Sequence, residues 1–133
     1  MSEKAFATTE IAYNDAVADV FNGLDTLETR LSKQRYLTGD TITEADWRLF
    51  TTLVRFDAVY VGHFKCNLRR ILDYPNLWGY LKDLYQVPGV AQTVYVEHCK
   101  AHYYGSHETI NPTLIVPLGP VIDFMQPPSR RLL

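Results

Sequence analysis

The most reactive side chains in this 133-residue chain are two cysteines, Cys66 and Cys99, and four histidines. A thiol becomes a nucleophile when a helix N-terminus or a neighbouring positive charge lowers its pKa. Lys65 supplies such a charge beside Cys66. Cys99 falls inside a helical pattern, where a small buried side chain is the plainer reading. Two cysteines can close at most one disulfide, and a chain this rich in apolar residues needs none. Both are therefore expected as free thiols in a reducing cytoplasm. His98 and His102 are four residues apart and share a helix face, with His107 nearby. The spacing suits zinc, but two histidines fall short of the three or four ligands required, and no His-Glu-x-x-His pattern occurs; no metal is expected. Arg55 can hold Asp57 or complement a helix end.

Helices must position these groups. Val17, Val20, Phe21, Leu24, Leu27 and Leu31 recur at three- and four-residue steps, which predicts an amphipathic helix from about Thr9 to Gln34. Asp15, Asp19, Asp25, Glu28 and Arg30 fall mostly on its other face. After a turn at Tyr36–Thr41, Thr43-Glu44-Ala45-Asp46 has the form of a capping box, in which hydroxyl and carboxylate each take the other residue's N–H. Ile42 before the cap and Trp47 at the fifth position make a hydrophobic staple. This helix is expected to reach about Tyr60, with Trp47, Phe50, Leu53, Val54 and Val61 turned to the core. A short helix is expected around Leu68–Leu72, and one carrying Leu77, Trp78, Leu81 and Leu84 begins at Pro75. Pro88-Gly89 breaks it, and a last helix runs from about Val90 to Tyr104, with Gly105 as its stop.

The fold class is all-α, a bundle of about five helices covering residues 1–108. From residue 109 to 133 the pattern dissolves among Pro112, Pro117, Pro120, Pro127 and Pro128, yet Leu114, Ile115, Val116, Val121, Ile122 and Phe124 are too apolar for plain disorder. That stretch is expected to be an extended C-terminal arm packed on the bundle or a partner, loose only at its end. A net charge of −2 with interspersed signs gives no basic stripe for nucleic acid or an anionic membrane. No apolar run approaches the ~18 residues of a membrane span, and the N-terminus has no signal-peptide core.

Four segments carry a resemblance. Leu37-Thr38-Gly39-Asp40 leading into the capping box is similar to the corresponding signature of the glutathione transferase C-terminal domain. Leu53-Val54-Arg55-Phe56-Asp57-x-Val59-Tyr60, His63-Phe64-Lys65-Cys66-Asn67 and His102-Tyr103-Tyr104-x-Ser106-His107-x-x-Ile110-Asn111-Pro112 narrow it. Together they resemble the glutathionyl-hydroquinone reductases, the xi class of glutathione transferases, from about Phe6 to Pro120. In that family a thioredoxin-like N-terminal domain binds glutathione as co-substrate and supplies the nucleophilic cysteine. The helical domain walls the quinone pocket and carries most of the dimer contact.

The resemblance implies that Tyr103 covers the sulfur of the substrate, where a phenol can hydrogen-bond a hydroquinone oxygen or a leaving thiolate. Tyr60 and Arg55 are further candidates for that pocket. The family's Cys-Pro motif, its glutathione site and a pocket tyrosine before the first helix have no counterpart here; Ser2 stands near where that tyrosine falls. No catalytic residue is therefore expected in this chain, no cofactor of its own, and no turnover without a thioredoxin-like domain joined to it or supplied in trans. Thr43 and Asp46 are expected to be structural. The alternative reading is a non-catalytic interaction or dimerisation module, with a binder of small aromatic ligands as a third.

Overall fold

A computed structural model describes residues 10–107, 110–128 and 130. Ser2, Thr9, the expected boundary at 108 and 109, and the last three residues lie outside them. The described residues form four α-helices and no strand.

The first helix, α1, spans Glu10–Leu31 and buries Val17, Val20, Phe21, Leu24 and Leu31, as the spacing requires; Leu27 is half-buried. Its polar face does more than meet solvent. The Glu28 carboxylate accepts the N–H groups of Asn76 (3.0 Å) and Leu77 (2.8 Å), and the Asp25 carboxylate accepts the Tyr74 hydroxyl at 3.0 Å. Asn76 and Leu77 open α3, Pro75–Tyr85, so an acidic residue of α1 satisfies two orphan donors at that helix start and complements its dipole.

Between α1 and α2, Gly39 closes a tight turn on Tyr36 at φ 137, a conformation that favours glycine. The second helix, α2, covers Glu44–Arg55 behind the capping box. Asp46 Oδ2 accepts the N–H of Thr43 at 2.8 Å, while Oδ1 accepts the N–H of Leu37 at 3.0 Å and the hydroxyl of Tyr80 at 2.7 Å. Asp46 and Tyr80 are both fully buried. One carboxylate thus ties the turn, the start of α2 and the middle of α3 together.

The chain then widens into a π-helical turn, Phe56–Tyr60, all five residues of which are buried. The expected helix does reach Tyr60, but not as a continuous α-helix. Asp57 in this turn accepts the N–H groups of Ile71 (2.6 Å) and Leu72 (3.2 Å). Burial raises its pKa, and the two N–H bonds oppose that rise.

The expectation of five helices is corrected at two places. The helix around Leu68–Leu72 is a single 3-10 turn, Ile71–Asp73, with an arginine pair at positions 69 and 70 left outside it. The last helix, α4, begins at Val96 instead of Val90, after a 3-10 turn at Ala91–Thr93. Thr93, Val94, Tyr95 and Val96 are β-branched or aromatic, and Val94 keeps an extended backbone. Gly105 does not stop α4, which continues to Ser106.

Described residues 110–128 and 130 form no regular element. Phe124 is buried against Tyr85, with ring centroids 4.9 Å apart, and Gln86 donates to the carbonyls of Phe124 and Gln126. Arg130 pairs with Asp83 at 3.0 Å and donates to the Arg35 carbonyl at the end of the α1 turn. Leu118 and Val121 remain 96% and 97% exposed.

Candidate functional site

The π-helical turn and α4 bring two of the three candidate pocket residues together. Tyr60 lies buried with its ring edge-on to Tyr103, centroids 6.1 Å apart. Burial first, and a hydrogen bond to Tyr103 second, push the Tyr60 phenol up to about 12. Tyr60 is therefore a neutral phenol at any physiological pH, able to brace Tyr103 but not to act as a base. Tyr103 is half-buried, and Phe64 (5.8 Å), His102 (5.4 Å) and His107 (5.5 Å) surround its ring.

Arg55 stands apart from that ring cluster, in the last turn of α2. It does not hold Asp57, whose carboxylate is taken by the backbone of Ile71 and Leu72. No carboxylate among the described residues forms an ion pair with it, and its charge acts on Tyr60, favouring the phenolate against the effect of burial. Arg55 also lines a cavity of about 330 Å³ between α2 and residues 88–99. Trp47, Phe50, Val54, Val94 and Val96 make its wall apolar, with Cys99 on the α4 side, one helical turn before Tyr103. No described residue after Cys99 lines it.

The cysteines differ in setting. Cys66 is buried, and burial raises its pKa, the opposite of what a nucleophile needs. Cys99 is half-buried at the cavity wall. Among the described residues no group of three or more histidines, cysteines and carboxylates could hold a metal ion. His98 stacks on Tyr95 at 5.3 Å, outside the Tyr103 cluster.

Residues 10–83 match the family model described as glutathione S-transferase, C-terminal domain. The chain belongs to that family. It is 57% identical over 125 residues to the glutathionyl-hydroquinone reductase YqjG of Escherichia coli K12, covering 94% of this chain and 38% of that protein. It is 58% identical over 115 residues to the glutathionyl-hydroquinone reductase PcpF of Sphingobium chlorophenolicum, covering 86% of this chain and 37% of the relative. The glutathione-bound structure of YqjG superposes with a TM-score of 0.93 at 55% identity, over 97% of this chain and 42% of that one. A xi-class transferase from Natrialba magadii gives 0.92 at 50% identity, over 96% and 40%. The chain therefore spans about two-fifths of the length of these relatives and corresponds to their C-terminal domain.

The side chains singled out in the sequence divide in two. The capping box and Asp57 build the scaffold. The Tyr60–Tyr103 ring pair is not part of the cavity wall itself, but Ala58 and Cys99, two and four residues before the two tyrosines, line it. The sequence reading missed a pairing behind Tyr103: His63 Nε2 lies 3.0 Å from His107 Nδ1. The two are 44 residues apart in sequence, and no local pattern signals their contact. Among the described residues no helix is long and apolar enough to cross a membrane.

Proposed function

We propose that this chain is the substrate-side domain of a glutathionyl-hydroquinone reductase. The nucleophilic cysteine and the glutathione site come from a thioredoxin-like domain, in cis or in trans. In the proposed reaction that domain's thiolate attacks the sulfur of a glutathionyl-hydroquinone. A cysteine–glutathione disulfide forms, the carbon–sulfur bond breaks, and the ring carbon takes the electron pair and then a proton, releasing the hydroquinone. A second glutathione thiolate attacks the mixed disulfide, giving glutathione disulfide and restoring the cysteine thiolate. Tyr103 hydrogen-bonds the hydroquinone oxygen, Tyr60 braces Tyr103, and Arg55 faces the polar edge of the ligand from the cavity wall.

The supporting observation is the edge-on Tyr60–Tyr103 ring pair next to the apolar cavity that Arg55, Ala58 and Cys99 help to line. Homodimerisation through the helical domain and a reducing, cytoplasmic setting for the two free thiols belong to the same proposal. The test is a fusion of the thioredoxin-like part of YqjG to this chain. The chain alone should show no turnover of a glutathionyl-hydroquinone, and the fusion should show it. Tyr103→Phe in the fusion should lose about 10- to 100-fold in kcat/KM, the value of one hydrogen bond to a charged or developing charge. A folded, glutathione-binding fusion without turnover would refute the reading.

One observation favours the non-catalytic module instead: Leu118, Val121 and Met125 expose an apolar run on the C-terminal segment. An inert fusion, together with self-association lost on replacing Leu118 and Val121 by serine, would establish that alternative.

A further inference from the structure

His63 follows the π-helical turn, and His107 is the C-cap of α4. His63 is 4% exposed, with its ring edge-on to Phe64 and to Tyr104, each at 4.6 Å. His107 lies against Tyr103 on the other side, at 5.5 Å. The contact between Nε2 of His63 and Nδ1 of His107 is a hydrogen bond only if one nitrogen carries a proton and the other a lone pair.

The surroundings decide which. Nδ1 of His63 is buried with no partner among the described residues. A buried N–H left without an acceptor is rarer and costlier than an unused lone pair. The proton of His63 therefore sits on Nε2, His107 Nδ1 accepts it, and the proton of His107 is on its own Nε2.

We propose that His63 and His107 are positioning residues for Tyr103, their shared hydrogen bond fastening the end of α4 to the loop that follows the π-helical turn. The bond completes the circle of rings around Tyr103, which comprises Tyr60, His63, Phe64, His102 and His107. The proposal deepens the reading of Tyr103 as the substrate-facing phenol and rests on it. The titratable groups that face His63 are His107 at the end of α4, and Tyr104 and Tyr103 on α4 itself. Among the described residues the one charge that acts on it is that of His107. Burial first, and the neighbouring His107 second, lower His63 to about 4, so His63 is neutral near neutral pH.

The experiment is NMR of the 133-residue chain at neutral pH, with labelled histidine and tyrosine. His63 should show a pyrrole-type Nε2 and a pyridine-type Nδ1, and His107 a pyridine-type Nδ1. His107→Ala should speed the ring flipping of Tyr103 by about 3- to 10-fold, the rate equivalent of one neutral hydrogen bond. His107→Asn should restore the wild-type rate, because its carbonyl oxygen reaches the position of Nδ1. A protonated Nδ1 on His63, an unchanged Tyr103 in His107→Ala, or failure of His107→Asn to restore it would each overturn the proposal. None of these readouts needs turnover. An inert fusion with the NMR results intact would therefore remove the catalytic reading of Tyr103 and leave the positioning pair standing.

Discussion

Replacing Asp46 by alanine tests whether one buried carboxylate organises the fold. The change removes the acceptor for the N–H groups of Leu37 and Thr43 and the hydroxyl of Tyr80. It also removes that of a longer bond (3.4 Å) from the half-buried Thr43 hydroxyl, which can rotate to water at little cost. A buried donor left unpaired costs about 1–3 kcal/mol. Leu37 and Thr43 are half-buried and can recover water, so each falls at the low end; Tyr80 is fully buried and falls higher. The loss therefore totals about 3–5 kcal/mol, a large share of the ~5–15 kcal/mol that holds a typical domain folded. For a chain of this length it corresponds to a fall in Tm of roughly 10–20 °C. Tyr80→Phe removes one donor together with its need for an acceptor, and should cost only about 1 kcal/mol. Asp46→Asn keeps one acceptor but turns the other into a donor facing donors, so it should fall between the two. Urea unfolding followed by far-UV circular dichroism gives the three values. Asp46→Ala within about 1 kcal/mol of wild type, or an order in which Tyr80→Phe is the most damaging, would refute the reasoning.

Two further predictions follow from the site region. Unfolded His63 takes up a proton below about 6.5, whereas the folded chain holds it neutral down to about 4, so stability is full above pH 6.5 and declines as the pH falls between those values. With solvent screening allowed for, the decline amounts to roughly 2 kcal/mol; urea titrations from pH 7 to 4.5 should show it, and His63→Gln should flatten that part of the profile. A β-carbon at Gly62 would collide with the Tyr104 hydroxyl, so Gly62→Ala should cost about 1–3 kcal/mol, and adding Tyr104→Phe should recover most of it; equal stability of the single and double variants would count against the packing described.

How far the sequence spoke depended on distance along the chain. Thr43 and Asp46 are three residues apart, so a local pattern was enough to read the cap, and the buried stripe of α1 followed from helical spacing. The same spacing misjudged Glu28. A carboxylate on the polar face reads as solvated unless one knows that the start of another helix lies against it. The helix expected at Val90 failed because the apolar pattern there is too weak to distinguish helix from extended chain, and the β-branched Thr93 and Val94 interrupt it, the segment making only a 3-10 turn at Ala91–Thr93. Tyr103 was singled out through resemblance alone, and its role stays with the proposal. The His63–His107 bond spans 44 residues and left no trace in the sequence pattern.

The carboxylates also explain how this fold delivers Tyr60 to its place. Asp46 takes N–H groups at the start of α2, Asp57 takes those of Ile71 and Leu72 at the 3-10 turn, and Glu28 takes those of Asn76 and Leu77 at the start of α3. Each closes donors that a helix start cannot satisfy itself, and two of the three do so across the fold. Asp57 is the one that bears on the proposed site. It lies inside the π-helical turn, three residues before Tyr60, and its two bonds anchor that widened turn to the 3-10 turn. A π-helical turn shifts the register of every following residue relative to an α-helix, so the direction of the Tyr60 ring depends on the turn being kept. Asp57→Ala should therefore free Ile71 and Leu72, let the segment relax towards α-helix, and swing Tyr60 off Tyr103. The Tyr60 hydroxyl should then titrate below its value of about 12, because both causes of the rise, burial and the bond to Tyr103, are weakened together. A Tyr60 that keeps its high pKa in a folded Asp57→Ala chain would mean that core packing of Phe56 and Val59 holds the turn without help from the carboxylate.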